Sequence, residues 1–167
     1  MKFKDQLFDF FSSASKKLKS DYNRSLPSNE LLSNRWEKAT FLGFGKKTSI
    51  YDSCCVYGNV CVGENTWIGP FVILDGSGDL SIGDNCSISA GVHLYSHDTV
   101  KWAISGGLKP YEYQATKIGD NCFIGPNTII SKGVSLGNGT IVGANSFVNQ
   151  SFPEGSKIAG NPAKLIE

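Results

Sequence analysis

Residues Ile118-Gly119-Asp120-Asn121-Cys122-Phe123-Ile124-Gly125-Pro126-Asn127-Thr128-Ile129-Ile130 carry a large aliphatic side chain at every sixth position. The count extends both ways. Ile50, Val56, Val62, Ile68 and Leu74 come first, then Ile82, Ile88 and Leu94, and after the quoted stretch Leu136, Val142 and Val148. A fixed short period marks a repeat architecture, in which each unit buries its apolar face only by stacking on its neighbours. Six is even and fits a 3.6-residue helical turn poorly, so in an extended chain all these side chains point one way. Four residues after the marker the side chain is mostly small or β-branched, as at Thr66, Cys86, Val92, Thr128 and Thr140, which suits a second, narrower inward position. Three residues after it, nine of fourteen positions are Asn or Gly: Asn59, Asn65, Asn85, Gly91, Asn121, Asn127, Gly133, Gly139 and Asn145. Those types tolerate positive φ, so the chain turns a corner once per hexad. Three strand-and-corner units close a triangular coil, and coils stacked about 4.8 Å apart make a parallel β-solenoid of about five coils.

The unit of aliphatic residue, glycine, two variable residues and a small residue is plainest in Ile82-Gly83-Asp84-Asn85-Cys86, Ile118-Gly119-Asp120-Asn121-Cys122 and Val142-Gly143-Ala144-Asn145-Ser146. It resembles the hexapeptide-repeat acyltransferases, whose left-handed parallel β-helix departs from the usual right-handed crossover. The resemblance covers residues 50 to about 166. It implies an all-β, left-handed β-helix domain over 49–167, preceded by a helical segment and lead-in strand over 1–48. The same solenoid also serves γ-class carbonic anhydrases and structural proteins, so activity has to be argued from a site.

Composition sets outer limits. The chain has 167 residues, 40% of them hydrophobic, and a formal net charge of +1, which predicts no nucleic-acid partner. No stretch reaches the roughly 18 apolar residues of a membrane span and no signal peptide is evident, so the expected compartment is the cytoplasm. Five cysteines without a C-x-x-C pair argue against a zinc or disulfide framework, and the register puts Cys54, Cys86 and Cys122 inside as small hydrophobes. A carbonic-anhydrase site needs three converging imidazoles. The chain has two histidines, and no metal is expected.

Ahead of the repeat, Phe3, Leu7, Phe10, Phe11, Ala14 and Leu18 share one face of an expected amphipathic helix, with Lys4, Lys16, Lys17 and Lys19 elsewhere. Docking on a partner subunit or on the first coil is the favoured reading, and its basic flanks leave a peripheral membrane contact as the alternative. Ser28 to Lys38 reads as a second short helix capped by Ser28, and Ala39 to Phe44 as a strand leading into the solenoid.

Two interruptions break the repeat. Asp75-Gly76-Ser77-Gly78-Asp79 adds two residues to a corner, and between Leu94 and Ile118 a loop over 97–116 leaves the coil. Long loops in compact domains are usually functional or disordered, and Trp102, Tyr111 and Tyr113 argue against disorder. His97 occupies a corner position at the root of this loop, with its ring outside the core. A neutral imidazole there suits a general base. His93, four residues earlier, points outward and reads as a secondary acceptor contact or surface residue. Asp98 reads as an orienter of the imidazole or an acceptor contact. The three loop aromatics offer flat faces for a sugar, or form a lid against a neighbouring subunit. Ala90, Pro126 and Ala144 share a register position on successive coils and make a column of short side chains along which an extended ligand can lie.

The acyltransferase resemblance implies more. A histidine-aspartate step at this break is the general base of sugar acetyltransferases, and the glycine-rich corner makes Asp75 an acceptor contact. Gly125, Ala144, Asn149, Gln150 and Lys164 fall where the family lines acetyl-CoA, although Asn149 and Gln150 replace the commoner Thr-Lys pair. Gly160-Asn161-Pro162-Ala163-Lys164 is similar to the family's tail. The implied activity is acetyl-CoA-dependent transfer to a sugar hydroxyl in polysaccharide or lipopolysaccharide biosynthesis, by direct attack without an acyl-enzyme. N-acetylation of a nucleotide-linked amino sugar is the alternative, and a noncatalytic scaffold is the reading from another class. A homotrimer with sites at subunit boundaries is expected.

Overall fold

A computed structural model describes residues 2–166. The six-residue period becomes three faces of short, mostly parallel strands. On the first face Ile50, Ile68, Ile88, Ile124, Val142 and Ile158 lie in register. The second stacks Val56, Leu74, Leu94, Ile130 and Val148. The third stacks Val62, Ile82, Ile118 and Leu136, and Phe152 extends it by a single bridge. The first face counts about six turns, one more than expected. Apart from half-buried Val56, every one of these markers is buried.

The narrower inward position is a polar column as well as a small one. Thr48, Thr66, Cys86, Cys122, Thr140 and Ser156 are all buried. Thr66 Oγ1 donates to the Gly83 carbonyl at 2.9 Å and accepts from the Cys86 N–H at 3.0 Å, so one hydroxyl ties two coils. The Cys86 thiol reaches the Gly119 carbonyl in the same way, at 3.1 Å. Cys54 is also inside, where burial pushes its thiol up to about 11, while Cys55 and Cys61 are exposed. Among the described residues no buried side-chain nitrogen or oxygen lacks a partner, as a stable interior requires.

Eight of the nine expected corner residues have positive φ. Asn59 is the exception: there the left-handed residue is Gly58, and the register shifts between Gly58 and Val60. The two extra residues of the first interruption cause this. Strands Cys55–Val62 and Ile73–Ile82 run on past the corner side by side instead of folding sharply.

The amino-terminal segment differs from expectation in two places. Helix α1 spans Phe3–Tyr22 and ends on Asn23 in the left-handed region. The second helix is split, with a 3₁₀ turn at Ser28–Leu31 and helix α2 at Arg35–Phe41, so Ala39 to Phe41 are helical where a strand was expected. Asn34 makes the division. Its side-chain oxygen accepts from the Trp36 and Glu37 N–H groups, which starts a new helix in place of the expected Ser28 cap. Glu30 then anchors the segment: buried, it accepts from the Asp52 and Ser53 N–H groups and the Ser53 hydroxyl at 2.8–3.0 Å. At the other end strand Ala163–Leu165 turns back antiparallel on Lys157–Gly160.

Core and corner substitutions should separate in size. Ile124→Ala is expected to cost about 2–5 kcal/mol through lost contacts and a cavity. Asn121→Ala, at φ 57°, should cost roughly 1 kcal/mol, and Asn121→Gly less, all measurable as shifts in urea unfolding.

Candidate active site

Both interruptions of the repeat begin directly after second-face markers, Leu74 and Leu94, which stack on each other. One corner therefore carries the extra chain of two successive coils. Tyr95 and Ser96 leave the second coil, and the chain returns at Thr116, whose hydroxyl donates to the Tyr95 carbonyl at 2.7 Å and closes the loop at its base. Between these points the excursion has structure of its own. Strand His97–Asp98 pairs antiparallel with Glu112–Tyr113, and helix α3, Val100–Ile104, caps the ribbon.

His97 sits at the root of the ribbon with its side chain 30% exposed, and its Nδ1 is bonded to the Asp75 carboxylate. Asp75, expected as an acceptor contact, is only 2% exposed, since the widened corner turns its side chain inward, and it lines the floor of the cleft beside His97. Its Oδ1 accepts from the Ser77 N–H and its Oδ2 from the Ser96 N–H. Burial works against this charge, but the hydrogen bonds from Ser77, His97 and Ser96 prevail and hold the carboxyl below the ordinary aspartate value. An ionised Asp75 accepts the Nδ1 proton, which leaves Nε2 as the basic nitrogen of the neutral ring.

Asp98 is not the orienter of His97. Its carboxylate accepts from the Val100 N–H, and its other oxygen pairs with Lys132 at 3.0 Å. These two contacts, the Val100 N–H foremost, hold its pKa low. Lys132 also meets Glu112 at 3.4 Å, and Glu112 meets Lys101 at 2.6 Å. One lysine from the adjoining coil thus clamps both strands of the ribbon. Lys101 foremost, with Lys132, lowers the Glu112 carboxyl, and Asp98 and Glu112 raise the Lys132 ammonium.

A cleft of about 370 Å³ opens beside His97, lined by Tyr57, Ile73, Asp75, Ser77 and Tyr95. A smaller one of about 180 Å³ lies on its other side, among Tyr95, Asp98, Ile129, Ser131, Lys132 and Phe147. The loop aromatics line neither. Tyr113 stacks on the His97 ring at 5.8 Å, and Trp102 packs edge-on against Tyr111 at 5.6 Å, so they build the loop. His93 bonds the Tyr95 hydroxyl at 3.2 Å and joins the site only through that tyrosine. Tyr57, Tyr95, Ser77 and Lys132 were not singled out from sequence. The available signal was register, since Tyr95 and Lys132 stand one and two places after second-face markers beside the break.

The expected cofactor residues divide between two corners. Ala90, Pro126 and Ala144 do form a column, with the Asn127 N–H bonded to the Ala90 carbonyl and the Asn145 N–H to the Pro126 carbonyl, and Ala90 is the more covered of the three. Lys164 pairs with Ala159, which stacks against Gly143 at the end of that column. Asn149 and Gln150 instead follow Val148 on the second face, at the same corner as His97 two coils away. Gly125 is buried, and coil packing accounts for it: a Cβ there would lie 2.6 Å from the Ala144 nitrogen.

Two family descriptions match the chain: bacterial transferase hexapeptide (six repeats) over residues 115–150, and hexapeptide repeat of succinyl-transferase over residues 59–96. An Escherichia coli K12 protein named as a lipopolysaccharide biosynthesis O-acetyl transferase is 30% identical over 119 residues, 66% of this chain and 61% of its own. The solved maltose O-acetyltransferase of Clostridium difficile 630 is 27% identical with a TM-score of 0.62, covering 97% of this chain and 87% of that one. A Bacillus cereus N-acyltransferase, solved with dTDP and 3-hydroxybutyryl-CoA, shares the fold at TM-score 0.64 and 21% identity, over 81% and 90% of the two chains. The chain spans about three fifths of the length of the curated relatives it matches. Among the described residues no helix is long and apolar enough to cross a membrane.

The clamp has a pH signature. Depressed carboxylates contribute above their ordinary values, near 3.9 and 4.3, and lose that contribution as pH falls through the lowered ones. The raised Lys132 contributes below about 10.4 and loses it as pH rises through the higher value. The protection of the His97–Tyr113 amides, taken relative to the intrinsic exchange rate at each pH, should therefore hold a plateau between these limits and fall outside them. Lys132→Met should abolish the plateau while leaving the unfolding of the coils unchanged.

Proposed function

Because this chain belongs to the hexapeptide-repeat family of left-handed β-helix transferases, we propose that it is an acetyl-CoA-dependent acetyltransferase that modifies a sugar hydroxyl in surface-polysaccharide or lipopolysaccharide biosynthesis. The observation that carries this reading is the pairing of half-exposed His97 with buried, ionised Asp75 beside an open cleft. A surface histidine with no role needs no carboxylate fixed by two main-chain N–H groups behind it.

In the proposed reaction Nε2 of His97 takes the acceptor hydroxyl proton as the oxygen attacks the thioester carbonyl. Asp75 holds the ring in the required tautomer and stabilises the imidazolium that forms. The bond from carbonyl carbon to sulfur then breaks, and the coenzyme A thiolate leaves with the proton available from His97. Holding both substrates at one corner supplies the proximity term, so no acyl-enzyme is needed. The acceptor is assigned to the cleft between Tyr57 and Tyr95, whose aromatic faces suit a sugar ring. The donor is assigned to the second-face surface between the two corners, with Ala144 and Pro126 along its arm and Lys164 near its phosphates. Assembly as a homotrimer would place a neighbouring coil against that surface.

Release of free coenzyme A thiol, measured across oligosaccharides and nucleotide-linked amino sugars, tests the reading, and cleavage of the acetylated product by hydroxylamine separates an O-acetyl ester from an N-acetyl amide. His97→Ala should lower turnover about 10²–10⁴-fold while acetyl-CoA still stabilises the protein, by about 2.7 kcal/mol at 100 times Kd. Asp75→Asn should also slow turnover, and should destabilise by about 1–3 kcal/mol because one main-chain donor loses its acceptor. Normal turnover in His97→Ala would remove the base assignment, and absence of any acetyl-CoA effect would favour a scaffold.

A further inference from the structure

Helix α1 has twenty residues and buries none of them. Phe3 is 78% and Phe8 73% exposed, and Leu7 and Phe10 are also open. Only its last turns approach the rest of the chain, where Ala14, Lys17, Leu18, Asp21 and Tyr22 line a hollow with Glu30 and Leu31. Most helical stability in proteins comes from packing of an amphipathic face, and here that face is uncovered. Phe3, Leu7, Phe10, Phe11, Ala14 and Leu18 fall within about 100° of its circumference, the width of a burying stripe.

The charges around that stripe are ordered. At 100° per residue Lys4 and Lys17 border it on its two sides, and Asp5 and Asp9 fall on the opposite face. Asp21, near the stripe at the far end, is neutralised by Lys17 at 2.8 Å. Between Lys2 and Arg24 there are six basic and three acidic residues, whereas the rest of the chain has ten basic and twelve acidic. The positive charge of the molecule is thus gathered at this helix. Lysines bordering an apolar stripe can lay their stems on it and reach an anionic surface with their heads. The cores of protein–protein interfaces are depleted in lysine, so a stripe bordered by Lys4 and Lys17 suits a headgroup surface better than a second copy of α1.

We propose that α1 lies in the interfacial plane of an anionic lipid bilayer, with Phe3, Leu7 and Phe10 in the acyl boundary and the flanking lysines at the headgroups. This reverses the preference for a subunit contact drawn from sequence. The attraction combines apolar insertion with charge, the pairing that such interfacial helices require.

Flotation of the full chain with vesicles of equimolar phosphatidylcholine and phosphatidylglycerol tests the proposal, with phosphatidylcholine alone as the comparison. The wild type should float with the anionic vesicles and partition at least about tenfold less onto the neutral ones. Raising salt from 0.1 to 1 M shortens the screening length from about 10 to 3 Å and should release part of it. Phe3→Ser with Leu7→Ser and Phe10→Ser, and separately Lys4→Glu with Lys17→Glu, should each lower binding at least about tenfold, with coil unfolding unchanged because none of these side chains is buried. Failure of the wild type to float with anionic vesicles overturns the proposal, as does flotation indifferent to the serine variant. If the serine variant instead lowers the sedimenting mass of a protein that ignores vesicles, a second copy covers the stripe and the lipid assignment is wrong.

Discussion

Strands of two residues cannot hold themselves, so the molecule depends on the register between coils. Each main-chain N–H at a face finds the carbonyl one coil on, as Phe123 does with Thr140 and Ile129 with Ser146, and each marker lands on the marker above. The contact is close enough that Gly125 cannot carry a Cβ. Slipping one coil by one residue would turn its markers to solvent and bring its polar residues inside. The period is strict for that reason.

Strict faces leave only corners free to vary. Extra residues inserted in a face would break the ladder, while at a corner they can leave the coil and return. The widened corner at Asp75 and the excursion after Tyr95 are such insertions, and because Leu74 stacks on Leu94 they open side by side. The widening lets Asp75 turn inward to be fixed by Ser77 and Ser96, and the excursion hangs His97 against it. The markers carry the stack and His97 stands outside it, while buried Asp75, which accepts two main-chain N–H groups, serves both the corner and the imidazole.

Most of the fold was legible because the sequence repeats the same physical requirement at each coil. The inward columns, the corner residues with positive φ and the core position of Cys86 and Cys122 all follow from counting. His97 was legible as a break in the count. Its partner was not, since Asp75 lies 22 residues earlier and its inward turn appears only once the corner is widened. Asp98, adjacent in sequence, was the more obvious candidate, but an adjacent strand residue points to the other side, where it meets Lys132. Trp102 and Tyr111, expected as flat faces for a sugar or as a lid, pack edge-on against each other and remain exposed, a contact that spacing in the sequence does not reveal. The helical segment was misjudged at Asn34, where a local side-chain cap outweighed the apolar pattern around it.

The reversal of the chain at Ala163–Leu165 reaches beyond this one molecule. A stack of parallel coils presents at its end the same row of donors and acceptors it has just used, so in principle it is a template for unlimited growth. An antiparallel strand laid across the end of the first face changes the spacing of its bonds, and on that face no further coil can add in phase. With α2 packed on the first strand and buried Glu30 tied to Asp52 and Ser53 at the opposite end, that face is closed against filament growth at both ends.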